Sequence, residues 1–277
     1  MHNYAGDNGG PTYWTDLGPV YAHGGSANNF PLKGGKSSPL EGGVRVAAFA
    51  SGGLIPLTMR GKTLGEPQHA IHVCDWYHTF ASLAGVDYLD APPGLPDNTD
   101  SLDVWPMLSG KSLTSPRKEV PIAIEGNSGG GHSATGQYAA NNITALIVGD
   151  YKVIFGYLVA SAYWQGPDFP NASYTAWMAS LGGAWWTNSS QNCGSIDTKG
   201  DGCLFNIKED ETEHVDLSKT QPAKLEELRA RVIELRRTLF NPDRCAPYSS
   251  VGGCAEAKAL WVAAIGKNGG YFAPFLD

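Results

Sequence analysis

The apolar positions of this chain change period along its length. Leu225, Leu228, Val232, Leu235 and Leu239 step by three and four, which predicts one amphipathic helix with a single apolar stripe. Pro222 suits its first turn, and Asn241-Pro242 ends it. Arg229, Arg231, Arg236 and Arg237 form its charged side, read as a solvated face. Upstream, Thr144 to Phe155 predicts a hairpin pivoting on Gly149-Asp150. Its second half, Tyr151-Lys152-Val153-Ile154, alternates polar and apolar residues, so one face should be covered, and the helix supplies the cover. Val120 to Glu125 is a further candidate strand.

The first half of the chain is organised differently. Residues 1 to 43 are rich in glycine and proline, too irregular for a long element. The run Val44 to Ser51 is rich in Val, Ala and Phe, ends at Gly52-Gly53 and predicts a buried strand. Asp75 is placed to cap a short helix, Trp76 to Ala84, which stops at Gly85. His72 and His78 flank that segment without facing each other as ligands, so they read as structural histidines. Asp87 to Asp100 is a loop, Val104 to Leu108 begins another helical turn, and Ser109 to Lys118 is polar and flexible. The last of these is a natural boundary between a first unit, 1–115, and a second, 116–277.

Composition narrows the class. With 277 residues, 42% hydrophobic and 17% charged, the chain can bury a sizeable core, and 35 Gly with 18 Pro make it loop-rich. A net charge of −7 without a basic patch argues against nucleic acid as a partner. No uninterrupted apolar stretch is long enough to span a bilayer.

The candidate chemistry lies at the start. In Gly6-Asp7-Asn8-Gly9-Gly10 a carboxylate adjoins a carboxamide in a glycine turn, offering hard oxygen ligands to a cation such as calcium. Taken alone, the tetrapeptide Asp7 to Gly10 is an ordinary turn sequence. Asn29 to Lys36 (NFPLKGGK) and Glu41 to Arg45 (EGGVR) follow, and the glycines let backbone approach a ligand closely. Lys36, between Gly35 and Ser37, could reach an anionic oxygen without crowding; a solvated loop lysine is the plain alternative.

Together these segments resemble the metal and anion region of the sulfatases, most closely the arylsulfatase B type. The resemblance continues in His72 to Trp76, Leu102 to Leu108, Ser115 to Arg117 and Leu204 to Ile207, and fades between about 157 and 200. It implies that Asp7 and Asn8 bind an active-site calcium and that Lys36, rather than Lys33, contacts sulfate. It implies hydrolysis of sulfate esters, sulfated glycans among them, by a formylglycine made from the Cys or Ser of a C/S-x-P-x-R motif. That motif is missing: Cys245 to Ser249 has serine where arginine belongs, and Ser37 to Glu41 has a carboxylate there. In the family, the nucleophile and the other metal carboxylates precede the segment at which this chain begins. The expectation is therefore the C-terminal half of a sulfatase, inactive alone, whose full-length parent is lysosomal or secreted. The implied fold is α/β, with a partial alkaline-phosphatase-like sheet domain followed by a small antiparallel sheet packed with the C-terminal helix.

Other features have a secretory cast. Asn142, Asn171 and Asn188 begin glycosylation sequons. Cys193, Cys203, Cys245 and Cys254 permit three connectivities, and the shortest loops pair Cys193 with Cys203 and Cys245 with Cys254. Zinc is the rival reading, without C-x-x-C spacing or paired histidines to support it. Cys74, in an apolar setting, reads as a buried thiol. The aromatic insertion 157–200, with Trp185-Trp186 at a glycine-rich turn, suits packing first and sugar stacking second. A non-catalytic glycan-binding or structural sulfatase-like module and a zinc phosphohydrolase are the alternative functions.

Overall fold

The computed structural model describes residues 2–10, 27–36, 38–86, 99–124, 144–158, 191–237 and parts of 262–270. The hairpin forms where glycine turn and alternation place it. Strand β4 (Thr144–Val148) pairs antiparallel with β5 (Tyr151–Phe155), and Gly149 takes the left-handed conformation, φ 57°, that the tight turn demands. On one side β3 (Glu119–Ile124) joins β4, with a register shift between Pro121 and Ala123. Proline has no N–H for the ladder, and β3 is an edge strand, where that loss is tolerated. On the other side β8 (Cys203–Asn206) pairs with β5, giving an antiparallel sheet of order β3-β4-β5-β8. A mixed α/β architecture with antiparallel sheets results.

The long helix spans Pro222–Arg236 and begins at the expected proline. Leu225, Leu228 and Val232 are buried against Leu146, Val153, Phe155 and Leu204 of the sheet. The predicted continuation to Leu239 and Asn241-Pro242 lies outside the described residues. Arg229 and Arg231 depart from the solvated face expected of them, whereas Arg237 is exposed. Arg231 makes a two-pronged contact with Glu119 of β3 at 2.8 and 2.6 Å, and Arg229 Nε donates to the Ile196 carbonyl at 2.7 Å. The helix is therefore fastened at its flank as well as packed along its stripe.

The sheet's opposite face is covered too, where alternation had predicted one covered face. Ala145, Ile154 and Phe205 pack there with Leu40, Leu158 and the disulfide half-cystines Cys193 and Cys203. The cover comes from the first half of the chain, through a helical turn α1 (Glu41–Val44) and the loop before it. Strands β6 (Tyr157–Leu158) and β7 (Gln191–Asn192) form a short pair beside it.

In the first half, β1 (His2–Ala5) pairs with β2 (Ala48–Ser51) as an antiparallel ribbon. The expected buried strand Val44 to Ser51 is corrected on two counts: Val44 ends a helical turn, and β2 is largely exposed, Phe49 at 60%. Composition reports the preference for burial, but among the described residues no layer covers this ribbon. Helices α2 (Asp75–Ala84) and α3 (Trp105–Leu108) follow, α2 closing on Gly85 at φ 68° as predicted.

Candidate metal and anion site

Two glycine-rich segments meet backbone to backbone. The Gly9 N–H donates to the Gly43 carbonyl at 2.8 Å, and the Lys36 N–H donates to the Gly10 carbonyl at 3.1 Å. Asn29 staples the junction, its Oδ1 accepting from the Gly10 N–H at 3.0 Å and its Nδ2 donating to the carbonyls of Gly10 and Gly34. The Gly42 N–H then donates to the Lys33 carbonyl at 2.7 Å, folding the lysine loop back onto α1. Glycine is required here by contact. A Cβ on Gly9 would lie 1.7 Å from the Gly42 oxygen, and one on Gly42 would lie 2.4 Å from the Gly34 oxygen.

This packing brings the Asp7-Asn8 turn and the Lys36 loop into one backbone unit. Asp7 is exposed and Asn8 half-buried. Asp7 Oδ1 accepts from the Asn8 N–H at 2.9 Å, and Asn8 Nδ2 donates to the Gly9 carbonyl at 2.7 Å. That orientation of the amide leaves Asn8 Oδ1, with the second Asp7 oxygen, available as acceptors among the described residues. Lys36 is exposed, and its backbone anchors the loop. The donor set suits a hard cation in kind. It falls short in number, since calcium takes six to eight oxygens and no group of three His, Cys, Asp or Glu able to hold a metal occurs among the described residues.

The chain matches no protein-family model. Among curated proteins it is 29% identical over 236 residues to mouse (Mus musculus) arylsulfatase J, a match covering 82% of this chain and 34% of the relative. The chain is related to the sulfatases. This sulfatase-like chain thus spans about a third of the length of the curated relative it matches. Among solved structures it is similar to a protein from a Bacteroides thetaiotaomicron locus for metabolism of multiple glycosaminoglycans (TM-score 0.45, 19% identity, 85% of this chain and 38% of that one). It is also similar to the PsFucS1 sulfatase from Pseudoalteromonas sp. (TM-score 0.38, 20% identity, 86% and 38%).

Beside the lysine loop lies a charged cluster that the sequence did not reveal. Lys152, Glu41 and Glu213 are all buried, with Lys152 Nζ 2.9 Å from Glu213 Oε1 and 2.6 Å from Glu41 Oε1. The second contact is an ion pair. Burial by itself would push the Lys152 ammonium down, but Glu213 and Glu41 beside it hold it above its ordinary value; burial raises Glu213. Lys33, also buried, donates to Gln191 Oε1 at 2.6 Å and lies 5.7 Å from the centre of the Phe205 ring. Desolvation lowers its pKa, with the acidic groups Glu213, Asp216 and Asp210 opposing that shift. The alternation in Tyr151 to Ile154 marks Lys152 as the outward-facing residue; the signal that could have revealed it is Glu41, an acid at the start of an otherwise glycine-rich turn.

A second cluster corrects two expectations. Asp75 does not cap α2: its carboxylate accepts from the backbone N–H of His72 at 2.7 Å and of Leu102 at 2.9 Å, and it binds Arg117. Cys74 sits in a polar setting, 2.9 Å from His72 Nδ1, and its thiol is raised chiefly by burial. His72 is pushed down by burial and by Arg117. His78 is buried and bonded to Ser101 and Thr99, a structural role as expected. Cys193 and Cys203 form one of the two disulfides that the shortest loops suggested. Cys245 and Cys254, the sequons at Asn142, Asn171 and Asn188, and Trp185-Trp186 lie outside the described residues.

Proposed function

We propose that this chain carries the cation- and sulfate-contacting loops of an arylsulfatase-type hydrolase of sulfate esters. The observation that carries this reading is the backbone junction of the two loops, Gly9 to Gly43 and Lys36 to Gly10, in a chain related to sulfatases. In this reading Asp7 and Asn8 are two oxygen ligands for calcium, and Lys36 donates to a sulfate oxygen as a compact point charge. The chemistry calcium supplies when bound is neutralisation of charge on the sulfate oxygens. The Lys36 ammonium is exposed and makes no ion pair among the described residues, so in this reading its charge is available for a developing oxyanion. The formylglycine expected of the family has no source here, because C/S-x-P-x-R is absent from the sequence. In this reading the chain contributes anion-contacting groups but does not turn the ester over unaided.

Sulfated glycans are the proposed substrates, and a lysosomal or secreted location fits the disulfide. Among the described residues no helix is long and apolar enough to cross a membrane. The test is a titration of the purified chain with inorganic sulfate at saturating calcium, read by calorimetry or amide chemical shifts. Binding at least about tenfold weaker in Lys36→Ala and in Asp7→Ala supports the assignment. Affinity indifferent to both substitutions overturns it. Turnover of a chromogenic aryl sulfate by the purified chain would overturn the claim that it lacks a nucleophile.

A further inference from the structure

The loop that carries Lys36 is bolted to the C-terminal sheet by charge. Lys152 projects from β5 on the face away from the long helix and reaches the Pro39 carbonyl at 3.0 Å, between Glu41 and Glu213. Glu213 Oε2 in turn accepts the Glu41 N–H at 2.7 Å, so it meets the first backbone N–H of α1. Since α1 delivers the Gly43 oxygen to Gly9, this cluster sits directly under the junction of the two loops.

Glu213 has backbone φ 52°, the one non-glycine residue at positive φ among the described residues. Glycine would adopt that conformation at lower cost, so a glutamate held there is held for its carboxylate. All three charges are withdrawn from water, where one ammonium faces two carboxylates. A cluster of this kind contributes little net stability compared with apolar packing, but it fixes geometry.

We propose that Lys152, Glu41 and Glu213 are positioning residues for the anion-binding loop: the C-terminal sheet holds the Lys36 and Gly9 backbones in register through this buried charged clamp. The inference extends the sulfatase reading, since it gives the C-terminal sheet a part in building the anion site. Its structural half stands or falls on its own.

Native-state amide hydrogen exchange on the full chain tests it. In Lys152→Met, the amides of Gly9, Lys36 and Gly42 should exchange about tenfold faster or more, while those of β4, β5 and the long helix keep their protection. Lys152→Arg should restore part of the protection. Should Lys152→Met fail to fold because two carboxylates are left without a cation, the charge-silent variant Glu41→Gln/Lys152→Met/Glu213→Gln takes its place, with the same loop-restricted loss expected. Unchanged loop amides, or acceleration spread evenly over sheet and helix, overturns the positioning role. A sulfate titration of the same variants separates the two ideas. Weakened sulfate binding alongside loosened loop amides supports the link to the site. Loosened loop amides in the variants, together with a wild-type chain that ignores sulfate, would leave the clamp standing and remove the sulfatase reading beneath it.

Discussion

Asp75 and Arg117, 42 positions apart, form a buried ion pair in which Arg117 Nε donates to Asp75 Oδ2 at 2.7 Å and Nη2 contacts Oδ1. Their side chains are 0% and 8% exposed. The same carboxylate accepts from the N–H groups of His72 and Leu102, so one side chain gathers the entry to α2, the approach to α3 and the segment leading into β3. Hydrogen bonding to Asp75 raises the Arg117 guanidinium above its already high value, which keeps the guanidinium charged.

Truncating one partner should therefore cost far more than removing both. Arg117→Ala leaves a carboxylate buried without a cation, an expected loss of about 3–5 kcal/mol, whereas Asp75→Asn/Arg117→Met, which removes both charges and keeps an amide oxygen as acceptor for the His72 and Leu102 N–H groups, should lose markedly less. Urea unfolding of the two variants checks this, and equal losses would mean that the pair is not electrically buried.

The glycine junction predicts a sharp positional contrast. Gly9→Ala puts a methyl group 1.7 Å from the Gly42 oxygen, so the two loops must part, at a cost of at least about 1–3 kcal/mol and with loss of sulfate binding. Gly53→Ala meets nothing within 4 Å, and its change in urea midpoint should be close to zero. Comparable midpoints for the two variants would show that the junction is loose.

How much of this was legible in sequence depends on whether the cause was local. Gly149, Gly85 and the Leu225-Leu228-Val232 stripe act within a few residues, and the turn, the helix stop and the packed helix follow from them. Cys193 and Cys203, 10 apart, were legible for the same reason. Lys152 was not. Alternation gives it a face of the strand but says nothing of what covers that face, and its cover arrives from Leu40 and Glu41, over a hundred positions away. Asp75 misleads similarly: an acid before an apolar run reads as a cap, while its partner Arg117 is distant in sequence. The resemblance singled out Asp7, Asn8 and Lys36 as candidates, and hydrogen bonds from Gly9 to Gly43 and from Lys36 to Gly10 join the two segments that carry them.

The flank of the long helix predicts an acid response. Hydrogen bonds from Arg231 hold the Glu119 carboxyl below its usual value of 4.5. A carboxylate depressed in the folded state gives its full stabilisation above the unfolded value, and that contribution fades as pH falls through the folded one. Both side chains are about one-third exposed, so the effect should be about 0.2–1 kcal/mol. Urea midpoints measured downward from about pH 6 should fall less steeply in Arg231→Gln than in the wild type. Parallel curves would assign the acid sensitivity to other groups.

The disulfide is placed to act on the same face of the sheet as the lysine loop. Cys193 and Cys203 are 2% and 3% exposed and pack with Leu40, Ile154 and Phe205. Gln191 links them to the loop, its Nε2 3.2 Å from Cys203 Sγ and its Oε1 accepting from Lys33. Closing a loop with sequence separation 10 restricts the unfolded chain by about 2–3 kcal/mol in the chain-entropy account. Cys193→Ala/Cys203→Ala should lose at least that much, because two buried sulfur atoms leave the packed face as well. The measurement is the urea midpoint of wild type and double variant, each with and without dithiothreitol. Reductant should bring the wild type down toward the variant, and a wild type that matches the variant without reductant would mean that the bridge contributes nothing to folding.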